Sequence, residues 1–121
     1  MKKKLNRMNF IIKDKSKKIK IKNVKKVSKL QEGIGLMFHE REKCPAMLFE
    51  FTHPNRMLIH SLFVFVKFGA VWLDDKNNII DKKIVKPFRL SVSCKKSFYK
   101  LIEIPVNKYY KKEIKILFKN M

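Results

Sequence analysis

The segment Lys18-Ile19-Lys20-Ile21-Lys22 alternates charged and aliphatic side chains with a period of two. In an extended chain this spacing places both isoleucines on one face and the lysines on the other, the mark of a half-buried strand. A second apolar stretch, Phe10-Ile11-Ile12, precedes it across a turn at residues 14–16. The two stretches therefore predict a β-hairpin near the start of the chain.

Several further apolar runs are short and interrupted by turn residues, which is typical of strands. They lie at residues 46–51, 57–68, 71–73, 79–85, 98–104 and 114–118. Gly69 interrupts the longest run and predicts a kink. The polar stretch at residues 74–78 predicts a turn, so that residues 70–85 form a hairpin.

Two short helices are predicted beside these strands. Asn23 stands at an N-cap position, and Val24, Val27 and Leu30 follow at helical spacing, which indicates a helix over residues 24–32. Pro105 is suited to a first helical turn and predicts a second helix over residues 105–112. The fold class expected is therefore mainly β (α+β), with antiparallel strands in a partly closed barrel or a sandwich and two short helices.

The chain of 121 residues fits one domain, residues 1–121. Its ten Phe and one Trp are enough for a substantial core, since a domain of this length buries roughly two-thirds of the surface of its unfolded chain. We expect residues 1–8 to be a flexible basic tail. A composition this apolar excludes a disordered chain, and two cysteines exclude a disulfide scaffold.

The charge is strongly positive and unevenly placed. The formal net charge is +20, of which residues 1–29 carry +12. A field of this sign favours an anionic partner such as nucleic acid or another polyanion. Only 4 of the 30 cations are Arg, however, and a general lysine bias would produce the same excess without such a partner. The residues predicted to bind an anion are Lys2, Lys3, Lys4, Arg7, Lys108, Lys111 and Lys112.

Metal and cofactor chemistry find little support in the sequence. Cys44, Cys94 and the three histidines form no close pair of the kind that zinc sites use. We therefore predict no metal, no cofactor and no disulfide. Phe10-Ile11-Ile12 is too short for the core of a signal peptide, and the longest apolar run is too short to cross a bilayer, so a cytoplasmic location is expected.

A second hypothesis is a small-ligand or enzymatic site in an aromatic pocket. If the Glu103 face of its strand points inward, its carboxylate needs a cationic partner such as Arg89. No nucleophile signature surrounds either cysteine, so no catalytic residue is identified and an enzyme is the less favoured interpretation. A third hypothesis is a protein-interaction or structural part. The pocket candidates are His60, Phe63, Phe65, Trp72, Phe88, Arg89, Cys94 and Glu103.

Four short segments resemble an uncharacterised family of bacteria and archaea. They are Gly35-Leu36-Met37-Phe38, Met47-Leu48-Phe49-Glu50-Phe51, Val71-Trp72-Leu73-Asp74 and Leu101-Ile102-Glu103-Ile104-Pro105. Their order and spacing are similar to those of domain of unknown function one-ninety-two, over roughly residues 24–112. The resemblance implies a compact, largely β domain without an established activity. The chain departs from the family pattern at Ala46 and Asn107, where members commonly have Gly, and at Gly69, where they commonly have Asp; this puts in doubt any ligand site built on that acid.

Overall fold

The computed structural model describes residues 7–26, 45–55, 59–60, 67–86, 91–92 and 96–119. These residues contain eight strands and one helix. They are β1 (Arg7–Asp14), β2 (Lys17–Lys26), β3 (Ala46–Asn55), β4 (Ile59–His60), β5 (Phe68–Leu73), β6 (Ile79–Val85), β7 (Ser91–Val92), β8 (Phe98–Pro105) and α1 (Lys111–Phe118).

Six of the strands form one sheet in the order β1-β2-β3-β8-β5-β6, and β4 pairs with β7 apart from it. Both predicted hairpins are present, as β1–β2 and β5–β6. The expectation of antiparallel strands throughout is wrong, because β2 and β3 run parallel over three residue pairs. The sheet is therefore mixed.

The sheet curls into a half-barrel, which is the partly closed barrel of the two predicted architectures. Its first and last strands approach each other where the Lys13 N–H donates to the Asn77 carbonyl at 2.8 Å. Side chains from β1, β2, β3, β8 and β5 share one buried cluster on the inner face, and Ile79 and Ile84 of β6 pack against it. This inner cluster is the larger of two cores.

Helix α1 covers the inner face. Tyr110, Leu117 and Phe118 belong to the inner cluster, so their spacing follows the period of a helix. The predicted strand at residues 114–118 is consequently wrong, and the predicted helix over residues 105–112 begins later, at Lys111. Residues 105–110 instead complete β8 and the turn that follows it.

The other predicted helix, over residues 24–32, is wrong where the structure describes it. Val24–Lys26 belong to β2, and residues 27–32 lie outside the described residues. Asn23 is not an N-cap: it has a φ of 53° within β2, next to the point where the β1–β2 register shifts. A short polar side chain tolerates this left-handed conformation, so Asn23 is suited to the irregular position that it occupies in β2. Of the predicted basic tail, Arg7 and Met8 are the first residues of β1, and residues 1–6 lie outside the described residues.

Candidate anion-binding surface

The β1–β2 hairpin is the most cationic described element, with nine cations and one acid in residues 7–26. The alternation in β2 determines where these charges lie. Ile19, Ile21 and Val24 are buried in the inner cluster, whereas Lys18, Lys20 and Lys22, which alternate with the two isoleucines, are exposed. The same alternation that builds the core therefore presents a row of ammonium groups to solvent.

Helix α1 is fixed against this hairpin by Tyr110. The buried Tyr110 hydroxyl accepts a hydrogen bond from the Ala46 N–H of β3 and donates one to the Asn23 carbonyl of β2, both at 2.9 Å. The Tyr110 N–H donates to Asn107 Oδ1 at 3.0 Å, which satisfies a main-chain donor just before the helix. At the opposite end of α1, Lys82 Nζ donates to the Leu117 carbonyl. The helix is thus tied to β2 and β3 at one end and to β6 at the other.

Burial raises the pKa of Tyr110 from 10.0 to about 12, although the hydrogen bond from Ala46 opposes the shift. Between these two values the unfolded phenol has lost its proton while the folded one retains it, so stability falls as pH rises. We expect this group to cost about 2 kcal/mol of stability as the pH rises from about 9.5 to 12. Urea unfolding of the wild-type chain and of Tyr110→Phe, in steps over this range, isolates the effect because the lysines titrate in both. A stability difference between the two that stays constant across the range would contradict the assignment.

A groove of about 540 Å³ runs between β2 and α1. Its lining includes Ile19, Ile116 and the buried Glu113. We call this feature the lysine groove after its five cations, Lys17, Lys18, Lys20, Lys22 and Lys112. Five cations beside one acid give it a net positive potential that attracts anions.

A smaller pocket of about 300 Å³ adjoins the lysine groove and shares Lys22 with it. Arg7 lines this pocket together with Asn23 and Tyr109. Lys22 Nζ lies 4.2 Å from the centroid of the Tyr109 ring, a cation–π contact between β2 and the residue before Tyr110. The two cavities therefore form a cationic surface that shares Lys22 and includes Arg7 and Lys112.

The structure places some of the predicted anion-binding residues on this surface. Arg7 and Lys112 line it, while Lys108 in the turn before α1 and Lys111 at its start are exposed and do not line either cavity. Lys2, Lys3 and Lys4 lie outside the described residues. The prediction omitted the lysines of β2, although their alternation with Ile19 and Ile21 was the signal that could have placed them on one exposed face.

The predicted aromatic pocket falls largely outside the described residues. Trp72 and Glu103 are both fully buried on the outer face of the sheet, where Ala70 pairs with Glu103 and Trp72 pairs with Leu101. They are therefore diagonal neighbours on adjacent strands. His60 is described only as part of β4, and Phe63, Phe65, Phe88, Arg89 and Cys94 lie outside the described residues. The aromatic pocket stays a prediction.

Two further properties of the described part of the chain concern metal binding and membrane crossing. Its His, Cys, Asp and Glu side chains form no group of three or more that could hold a metal ion. Among the same residues, no helix has the length and apolar character needed to span a membrane.

Comparison with protein families gives a match over most of the chain. The model of DUF192, described as an uncharacterised ACR family, matches residues 10–116. The chain belongs to the DUF192 family. This membership confirms the family resemblance predicted from four short segments of the sequence. The description of DUF192 names no activity. No curated protein matches the chain.

Two solved structures are similar in fold to this half-barrel. One, from Sinorhizobium meliloti 1021, is described as a proposed transcription regulator; its TM-score is 0.64 at 13% identity, covering 85% of this chain and 81% of that one. The other, a protein of unknown function from Novosphingobium aromaticivorans DSM 12444, has a TM-score of 0.62 at 11% identity, covering 84% of this chain and 74% of that one. At such identities the likeness concerns the fold alone.

Proposed function

We propose that this DUF192 protein is a non-enzymatic, cytoplasmic domain that binds a polyanionic partner such as nucleic acid through the lysine groove and the adjoining Arg7 pocket. The observation that carries the proposal is that two cationic cavities share Lys22 in their linings. Several cations along one strand and a neighbouring helix match the repeated charges of a polyanion better than isolated surface lysines do.

The kind of cation favours contact with phosphates over recognition of bases. All five cations of the lysine groove are lysines, which act as point charges and lack the planar fork with which arginine reads base edges. Tyr109 is also poorly placed for stacking, because Lys22 occupies one side of its ring and Tyr110 packs edge-on at 4.8 Å. We therefore expect binding that is indifferent to sequence.

A salt titration of duplex DNA binding tests the proposal. The double-logarithmic slope of affinity against salt changes by about 0.9 for each phosphate contact. Replacing Lys18, Lys20 and Lys112 by Gln should lower affinity and flatten the slope by up to about 2.7, one contact per lysine. Two duplexes of unrelated sequence should give the same result, measured by fluorescence anisotropy.

The matched control replaces three exposed lysines that do not line either cavity, Lys76, Lys86 and Lys96, by Gln. It removes the same charge, so it measures the effect of net charge alone. Equal slopes in the two triple variants would show that the groove has no special part. If the wild-type chain fails to bind at about 50 mM salt, where such contacts are strong, the proposal is wrong.

A further inference from the structure

A second groove, of about 700 Å³, lies on the other side of α1, between that helix and β6. Its volume is within the roughly 300–1,000 Å³ typical of small-molecule sites. We call it the α1–β6 groove. It differs from the lysine groove in its chemistry, because its lining contains no acid.

The apolar part of the lining comes from three elements. The apolar residues are Ile84 of β6, Val106 after β8, and Ile114 and Phe118 of α1. Phe118 is set deep, since its ring lies where a side chain at position 69 would stand, 2.5 Å from an ideal Cβ built on Gly69. The lining therefore offers aliphatic and aromatic surface to a ligand.

Four lysines supply the rest of the lining: Lys67, Lys83, Lys115 and Lys119. Lys67, Lys115 and Lys119 are exposed, and Lys83 Nζ lies 5.6 Å from the centroid of the Trp72 ring. The carbonyl groups at the C-terminal end of a helix repel an anion. At this end of α1, Lys82 Nζ donates to the Leu117 carbonyl and so places a cation beside it. The local charge is positive around an apolar surface.

From this complementarity we infer that the α1–β6 groove binds an amphiphilic anion, a small molecule with an apolar body and one anionic head such as a medium-chain carboxylate. The body lies on the apolar lining, and the head lies among Lys115, Lys119 and Lys67. Each half of the ligand satisfies one half of the groove. This site is separate from the one proposed for a polyanion.

Calorimetric titration with octanoate, 1-octanol and acetate tests both halves. We expect octanoate to bind more tightly than either of the others, because octanol lacks the charge and acetate lacks the apolar body. Decanoate should bind about tenfold more tightly than octanoate, since each buried methylene contributes up to about a fourfold gain. Equal binding of octanoate and octanol would overturn the inference.

Variants locate the site. Lys115→Gln with Lys119→Gln should weaken octanoate about fivefold, the size expected for two exposed charge contacts, and leave octanol unchanged. Lys17→Gln with Lys20→Gln removes the same charge from the lysine groove and should change octanoate affinity less than twofold. If both pairs weaken octanoate equally, the attraction is a property of net charge and the inference is wrong.

Ile84→Thr keeps a β-branched residue in β6 while removing apolar surface, so it should weaken both octanoate and octanol. Amide chemical shifts of residues 84, 106, 114 and 118 should move on addition of octanoate to the wild-type chain. Shifts confined to other residues would contradict the location, even if a variant unfolds. DNA binding through the lysine groove can fail while this result holds, and the reverse also applies.

Discussion

Replacing Tyr110 by phenylalanine should lower the free energy of unfolding by about 2–3 kcal/mol. The change removes one oxygen atom but two hydrogen bonds, those with the Ala46 N–H and the Asn23 carbonyl. Ala46 is fully buried, so its N–H would lose its partner where water cannot replace it. A buried donor left unsatisfied costs about 1–3 kcal/mol, which is why a mild change has a large effect.

Urea denaturation measures this loss, and Tyr109→Phe is its matched control. Tyr109 is the neighbouring tyrosine, but its side chain is 43% exposed. We expect the control to change stability by no more than about 0.5 kcal/mol, as exposed substitutions usually do. Similar losses in both variants would mean that the Tyr110 hydroxyl does not hold β2 and β3 to α1.

Replacing Gly69 by valine should cost about 3 kcal/mol, the upper part of the range for overpacking a core. Gly69 does not have a positive φ, so a left-handed backbone is not the reason for glycine at this position. The reason is space: a Cβ at this position would lie 2.5 and 2.7 Å from two atoms of the Phe118 ring and 3.3 Å from Ile114 Cδ1. The end of α1 would have to move away from β5.

A double-mutant cycle tests whether Phe118 is the cause. In Phe118→Leu the shorter side chain leaves room, so Gly69→Val should cost about 1–2 kcal/mol less in that background than in the wild-type chain. The cycle is measured by the same urea unfolding. Strict additivity of the two changes would place the strain elsewhere in β5.

The hairpins were predictable because their signals are local. The alternation at residues 18–22 and the turn at residues 74–78 each determine the neighbouring pairing without help from distant residues. The parallel pairing of β2 with β3 was not predictable, since it depends on where the chain returns after residue 26. Period-two patterns indicate a strand but carry no information on its neighbour's direction.

The error at residues 114–118 has a different cause. Within residues 114–118, Ile114, Ile116 and Phe118 alternate as in a strand. The helical spacing becomes visible only when the segment is extended back to Tyr110, seven residues before Leu117. In the structure Ile116 is 43% exposed and Tyr110 is buried, so the longer period is the real one. Tertiary packing of Tyr110 decided between two patterns that the short segment allowed equally.

The same limit applies to the candidate site. The sequence predicted a basic chain with anion-binding cations that include Arg7 and Lys112, but the lysine groove combines residues of β2 and α1 that lie about 90 positions apart. Lys20 and Lys112 have no relation in sequence. Their proximity follows from the anchoring of α1 by Tyr110, a contact between distant residues.

The position of β8 has a consequence for how the chain is made. This strand lies between β3 and β5 in the sheet, yet it is the last of the six in sequence. On the ribosome, β1–β2 and β5–β6 can pair as soon as they emerge, because their partners are adjacent, but in the described sheet β3 and β5 each pair with β8 and not with each other. At synthesis rates of about 5–20 residues per second, the emerging chain must wait for residues 98–105 before its two halves become one sheet. Nascent chains that stop before residue 98 should therefore contain separate hairpins and leave unpaired the main-chain edges of β3 and β5 that β8 later covers.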